Sequence, residues 1–184
     1  MNTQIYLIAP PDAEPETLSK ALAHALQTDG VAALLLPRGA RGDNAYKDFV
    51  KAVAPAAQAA GAAVLIEGEP GLVRTLGVDG LHVTGDLAAL RGAVSALKPH
   101  HIVGVGDVHS RHDAMVKGEL DIDYILFGPL SGHIGAADRE LARWWAETME
   151  IPGVLSDPAA TLAGFEAEGC EFVGLGIGAV GSER

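Results

Sequence analysis

Short apolar runs rich in Val, Leu and Ile recur along the chain at Ile5–Ala9, Val31–Leu36, Ala63–Ile66, Leu81–Val83, His101–Val105, Tyr124–Phe127, Gly153–Leu155 and Phe172–Ile177. Each is too short for a helix and reads as a strand buried on both faces. Between them lie segments with helical periodicity: Glu16–Thr28, Asn44–Ala60, Gly71–Leu76, Leu87–Leu97, Arg111–Lys117, Ala136–Met149 and Pro158–Glu168. In Asn44–Ala60 the positions Phe49, Val50 and Val53 form one apolar stripe. Gly30, Gly61, Gly77 and Gly169 each stand between a helical segment and the next strand, where a left-handed residue closes a helix. Ser156-Asp157-Pro158 predicts a capping side chain followed by proline at the start of the last helix. Strand and helix alternate throughout, which implies parallel pairing through right-handed crossovers.

Eight such units predict a compact (β/α)8 TIM barrel filling residues 1–184 as one domain, with an open doubly wound parallel sheet as the alternative. Aromatic residues make up only 5% of a chain that is 48% hydrophobic, so Ala, Val, Leu and Ile must build the core. Mean hydropathy is +0.21, yet no apolar run approaches the roughly 18 residues that span a bilayer. The 13 Lys+Arg against 24 Asp+Glu leave a net charge of −11, which argues against nucleic-acid partners and anionic membranes. Cys170 has no second cysteine to pair with, and MNTQIYLIAPPD lacks the basic start and apolar stretch of a signal peptide, so a cytoplasmic location is expected. The last residues, Gly181–Arg184, are expected to fray.

In a parallel α/β architecture ligands meet the C-terminal ends of the strands. The residues there include Pro37-Arg38, Glu67 to Glu69, Thr84 to Asp86, Asp107 to Ser110, Gly128 to His133, Ser156-Asp157 and Gly176 to Gly178. The stretch GELDIDYILFGP over 118–129 resembles the G-x-D-Y-[IV]-x-F-G-P signature of the thiamine phosphate synthase and thiazole tautomerase superfamily. Upstream, VLIEGEPGLVRTLGVDGLHVTGDL, VGVGDVHS and the opening IYLIAP resemble further elements of that family, in the same order.

The resemblance implies a (β/α)8 barrel that transfers a pyrimidine diphosphate group onto a thiazole phosphate, with Mg²⁺, and releases pyrophosphate. Its partner would be a small phosphorylated heterocycle. On the matching positions, Glu67 and Asp86 stand for the family's metal ligands and Arg38 for its basic phosphate-binding and catalytic group. His109 is a candidate catalytic acid/base and Ser110 a phosphate ligand or helix cap. Gly128, Gly174, Gly176 and Gly178 are candidates to expose amides to phosphate.

The chain departs from the pattern in several places. Gly106 stands where the family has serine, no Thr or Lys lies between Gly128 and Arg139, LSDPA replaces A-I-G-G-I, and Ile177 stands at the serine of the final phosphate strand. These losses favour two alternatives: a non-catalytic binding or regulatory protein, or a divergent enzyme on a related thiazole or pyrimidine phosphate, with His109 or His133 as acid/base.

Other polar residues have structural readings. Asp79, Asp123 and Glu171 open strands at the mouth opposite the ligand face, where stability is the usual role. His82 reads as a packed or hydrogen-bonded histidine, although His82, His109, His112 and His133 with Asp86 or Asp107 could form a metal site. Cys170 reads as a small buried hydrophobe. Of Trp144 and Trp145, about 100° apart on one helix, one should cover the barrel and the other is a candidate contact to a partner such as a second copy in a homo-oligomer.

Overall fold

The structure, a computed structural model, describes residues 2–180. The terminal segment Gly181–Arg184 lies outside the described residues. Eight strands alternate with helices in the order β1 (Gln4–Ile8), α1 (Pro15–Ala25), β2 (Val31–Leu36), α2 (Asp43–Ala59), β3 (Ala63–Ile66), α3 (Gly71–Leu76) and β4 (Gly80–Val83). There follow α4 (Leu87–Leu97), β5 (Ile102–Val105), α5 (Arg111–Gly118), β6 (Tyr124–Phe127), α6 (Ala136–Thr148), β7 (Gly153–Ser156) and β8 (Phe172–Gly176). All pairings are parallel, and β8 closes onto β1 over Gln4–Ile8 and Phe172–Gly176, so the sheet is a closed barrel and the open-sheet alternative is excluded. Among the described residues no helix is long and apolar enough to cross a membrane.

The strand period of two sorts side chains into two cores. Tyr6, Ile8, Ala33, Leu35, Leu65, Tyr124, Leu126 and Val154 fill the barrel interior. Their alternates, such as Ile5, Leu7, Leu34, Leu36, Val64 and Ile66, join Leu18, Leu22, Phe49, Val50 and Val53 of the helices in the outer layer. Trp145 is the buried member of the tryptophan pair, packed on Phe127 with its Nε1 donating to the Ile151 carbonyl at 2.8 Å. Trp144 is half-buried beneath the Arg111 guanidinium. Cys170 is buried, which pushes its thiol up to about 12.

One expected element is absent. The segment 158–168 contains turns instead of a helix. The Asp157 carboxylate, expected as part of its cap, reaches across to accept the Ile134 N–H at 3.1 Å and lies 3.0 Å from His133 Nδ1. Gly164 and Glu168 both take positive φ, and Glu168 is held there by Arg143 at 2.7 Å and Arg139 at 3.5 Å. Ala160, Leu162, Phe165 and Ala167 still pack on the outer core, so the segment covers its share of the barrel without a helix.

The acids at the strand starts clasp the N-terminal mouth. Asp79 Oδ2 accepts the Val64 N–H at 2.7 Å, Asp123 Oδ2 the Val103 N–H at 2.8 Å and Glu171 Oε2 the Gly153 N–H at 2.8 Å. In each case an acid just before an even-numbered strand satisfies a backbone donor of the preceding odd-numbered strand.

Candidate active site

At the C-terminal mouth, a cavity of about 650 Å³ is lined by Arg38, Glu67, Gly68, Glu69, His82, Thr84 and Gly85 among others. Arg38 and Glu67 follow β2 and β3 directly, and neighbouring parallel strands deliver them to the same rim. Glu67 Oε1 accepts the Arg38 backbone N–H at 3.1 Å, and Oε2 accepts the Thr84 hydroxyl at 3.4 Å. The Tyr46 hydroxyl of α2 donates to the Leu36 carbonyl and accepts the Glu67 N–H at 3.0 Å, tying the ends of β2 and β3 together. Burial raises the Glu67 carboxyl above its ordinary range despite these hydrogen bonds. The Arg38 guanidinium is anchored by Arg41 O at 3.1 Å and by the Asp43 carboxylate in the first turn of α2. Arg41, the other basic residue of that loop, lies over the Phe49 ring at 3.7 Å and donates to the carbonyls of Pro11, Pro37, Arg38 and Ala13. It braces two loops.

The other expected metal ligand, Asp86, caps α4, with Oδ1 accepting the Ala89 N–H at 2.8 Å. It does not line the cavity that holds Glu67. Among the described residues no three His, Cys, Asp or Glu side chains converge as a metal site, so the histidine metal cluster does not form.

A second cavity of about 270 Å³ adjoins the first and is lined by His82, Thr84, Asp107, His109, Gly128, Pro129 and Asp138 among others. Asp107 takes φ 57°, rare for a residue with a side chain. Its carbonyl accepts the buried Lys117 ammonium at 3.1 Å, and its Oδ1 lies 2.6 Å from His109 Nε2. The other nitrogen of His109 is 3.9 Å from Asp138 Oδ1 on α6. Ser110 caps α5, its hydroxyl oxygen accepting the Asp113 N–H at 3.0 Å. Gly128 has φ 107°, and a Cβ there would lie 2.3 Å from the Ser156 carbonyl, so only glycine fits between β6 and β7.

The C-terminal glycines divide. Gly174 is a buried β8 residue paired with Tyr6 and Ser156, inside the sheet. Gly176 donates its N–H to the Pro158 carbonyl at 3.1 Å, a bond supplied by the turn segment that replaces the helix. Gly178 is exposed in the short 3₁₀ turn Ile177–Ala179.

Beneath the mouth runs a hydrogen-bonded chain that sequence reasoning missed. Tyr6 Oη and Tyr124 Oη are 2.7 Å apart, and Tyr124 Oη is 2.7 Å from His82 Nδ1. The Tyr124 ring stacks on His82 by crossing Gly104, where a Cβ would fall 1.9 Å from the ring. Strand alternation marks Tyr6 and Tyr124 as inward residues, and a glycine at 104 between two inward polar rings was the available signal. Burial lowers the His82 pKa to about 4, so it is neutral at pH 7.

The fold and this mouth define a (β/α)8 barrel with a candidate small-ligand site at the C-terminal end of its strands. The chain belongs to the thiamine monophosphate synthase family, whose model matches residues 5–171. It is 35% identical over 156 residues to a thiamine-phosphate synthase of Rhodospirillum centenum, covering 82% of this chain and 75% of that protein. It is 34% identical over 191 residues to one of Hyphomonas neptunium, covering 96% and 85%. A thiamine phosphate pyrophosphorylase from Pyrococcus furiosus superposes with a TM-score of 0.72 at 16% identity, over 97% of this chain and 89% of that one. At that identity the superposition speaks to the fold alone.

Proposed function

We propose that the protein is a thiamine phosphate synthase, joining a pyrimidine diphosphate to a thiazole phosphate with release of pyrophosphate. The observation that carries this reading is membership of the family together with a mouth cavity lined by both Arg38 and Glu67. Arg38 offers the guanidinium that stabilises charge gathering on the departing diphosphate. Its anchoring by Asp43 holds it at the rim before substrate arrives, so little reorganisation is needed.

Glu67, with lone pairs beyond its two hydrogen bonds, suits a Mg²⁺ that arrives with the diphosphate, since such ions take one or two carboxylates and complete their shell with phosphate oxygens and water. With no third ligating side chain gathered beside Glu67 and Glu69 among the described residues, the cavity fits a metal carried in by substrate better than a resident one. When bound, the ion would neutralise the leaving group. Asp86 has a smaller claim, because its Oδ1 already serves α4. Gly128 and Gly178 are proposed to leave room for phosphate, and the small phosphorylated heterocycles would be met in the cytoplasm.

Purified protein given both substrates and Mg²⁺ should release pyrophosphate and thiamine phosphate in equal amounts. Arg38→Met should lower kcat/KM about a hundredfold, as loss of a transition-state charge contact does. No product under conditions where the Rhodospirillum centenum relative is active overturns the reading.

The second cavity favours one further reading, proton transfer on a related thiazole phosphate with His109 as acid/base poised by Asp107. His109→Asn should abolish solvent-deuterium exchange into such a ligand; exchange that persists removes the role.

A further inference from the structure

Among the described residues His82 Nε2 is the one buried side-chain nitrogen or oxygen without a hydrogen-bond partner. His82 itself is 1% exposed, and its ring belongs to the walls of both mouth cavities. Position 106 carries no side chain; a Cβ there would lie 2.8 Å from Nε2. Glycine at the place where the resembling family has serine therefore leaves this nitrogen uncovered by a neighbouring hydroxyl.

The hydrogen-bond chain decides what the nitrogen offers. Among the described residues Tyr6 Oη has one hydrogen-bond partner, Tyr124 Oη, so its proton goes there. Tyr124 then gives its own proton to His82 Nδ1, which must be the bare nitrogen, and the imidazole proton sits on Nε2. The reverse direction would strand two groups, the Tyr6 proton and the Nε2 lone pair, where the first strands only one. Buried polar groups are nearly always paired, and those that are not commonly belong to binding or catalysis. A neutral imidazole carries no charge for a phosphate, but its N–H suits an uncharged acceptor.

We propose that His82 is a specificity-determining donor: its Nε2–H takes a ring nitrogen or other neutral acceptor of the substrate heterocycle where the two cavities meet, with Tyr6 and Tyr124 as positioning residues that fix the tautomer. The identity of the ligand rests on the synthase reading; the tautomer does not. A ring acceptor at this point would set the heterocycle over the barrel axis and leave its phosphates toward Arg38 and Glu67 on the rim.

Side-chain nitrogen NMR of the full chain, labelled at histidine, tests the tautomer without any ligand. Wild type should show a protonated Nε2 and a bare Nδ1; Tyr6→Phe, which removes the other acceptor for the Tyr124 proton, should keep that tautomer, whereas Tyr124→Phe, which takes the donor from Nδ1, should shift the population toward protonated Nδ1. A protonated Nδ1 in wild type, or no response to Tyr124→Phe, overturns the proposal. Titration with the pyrimidine diphosphate and the thiazole phosphate, separately, should then move the Nε2–H resonance for one of them. Shifts at the Arg38 and Glu67 amides without one at His82 overturn the proposal alone, whereas no shift anywhere overturns the synthase reading and this ligand assignment together. In kinetics, His82→Leu should raise KM for the recognised heterocycle about tenfold, the equivalent of one lost hydrogen bond, with His82→Gln recovering part of it. An unchanged KM in a folded His82→Leu protein also overturns it.

Discussion

Gly104→Ala should be among the most damaging single-methyl changes in the barrel. Gly104 on β5 is paired with His82 on β4 and Tyr124 on β6, and the Tyr124 ring lies across it to reach the histidine. The added Cβ would sit 1.9, 2.1 and 2.5 Å from three ring carbons. None of these is the free end of a flexible chain, so the ring must leave its place inside a filled barrel. Overpacking of this kind costs about 1–3 kcal/mol. Displacing the ring also breaks the bonds from Tyr124 to Tyr6 and His82, about 1 kcal/mol each. The sum, about 3–5 kcal/mol, is a large part of the roughly 5–15 kcal/mol that holds a domain folded. With a urea slope of about 2 kcal/mol/M, the unfolding midpoint should fall by about 2 M. The clash has its own signature in a double-mutant cycle. If the ring is what the methyl strikes, Gly104→Ala combined with Tyr124→Leu should be about as stable as Tyr124→Leu alone, a coupling of about 2 kcal/mol or more. Additive effects, or a loss below about 1 kcal/mol in the single variant, would refute the reasoning.

Two further outcomes follow from one buried and one half-buried polar group. His82 has a pKa near 4 when folded against 6.5 as its ordinary value, so between those limits the unfolded chain binds the extra proton. Its contribution is complete above pH 6.5 and is lost as pH falls toward 4, about 3 kcal/mol in all; urea midpoints across that range should decline less in His82→Asn than in wild type, and equal slopes would contradict the burial argument. At the opposite mouth, Asp79→Ala removes the acceptor for the Val64 backbone N–H and the Gln58 side-chain amide and should cost about 2 kcal/mol in urea unfolding while kcat/KM stays within about twofold, since the lesion lies a barrel's length from the site.

Much of this barrel was legible from periodicity because its strands are short apolar runs with glycine or polar residues at their ends. All eight runs became strands, and the acids before β4, β6 and β8 could be assigned a structural role from position alone. The segment after β7 was misread because Asp157 has two uses: the same carboxylate that caps a helix can serve an amide in another loop, and Ile134 N–H is nowhere near it in sequence. The candidate site divides on the same ground. The rim positions of Arg38 and Glu67 could be read from their places just after two strands, because adjacent strands bring successive rims together. Asp86 and Ser110 occupy helix starts, where local capping engages the oxygens proposed for a ligand. The Tyr6–Tyr124–His82 chain joins β1, β6 and β4 across the interior, a coincidence of layers that depends on barrel register and leaves only the small residue at 104 as a local trace.

The acidic surplus acquires a consequence once its placement is known. The cations near the C-terminal mouth are mostly committed: Arg41 to carbonyls, Lys117 to Asp107 O and Asp113, and Arg139 to Asp157 and Glu168. The larger cavity is lined by one guanidinium, Arg38, and two carboxylates, Glu67 and Glu69. Two like charges about 5 Å apart repel by about 3 kcal/mol at an effective dielectric of 20, so a bare diphosphate gains little from Arg38 that the carboxylates do not offset. Affinity for pyrophosphate, used as the probe, should therefore rise at least about tenfold when Mg²⁺ is supplied. Reversing the exposed acid with Glu69→Lys should recover a large part of that gain without metal at low ionic strength, and the recovery should shrink in about 0.5 M salt as screening sets in. Calorimetric titration separates the possibilities: tight metal-free binding to the wild type, or no response to Glu69→Lys, would mean that charge in this cavity does not govern diphosphate capture.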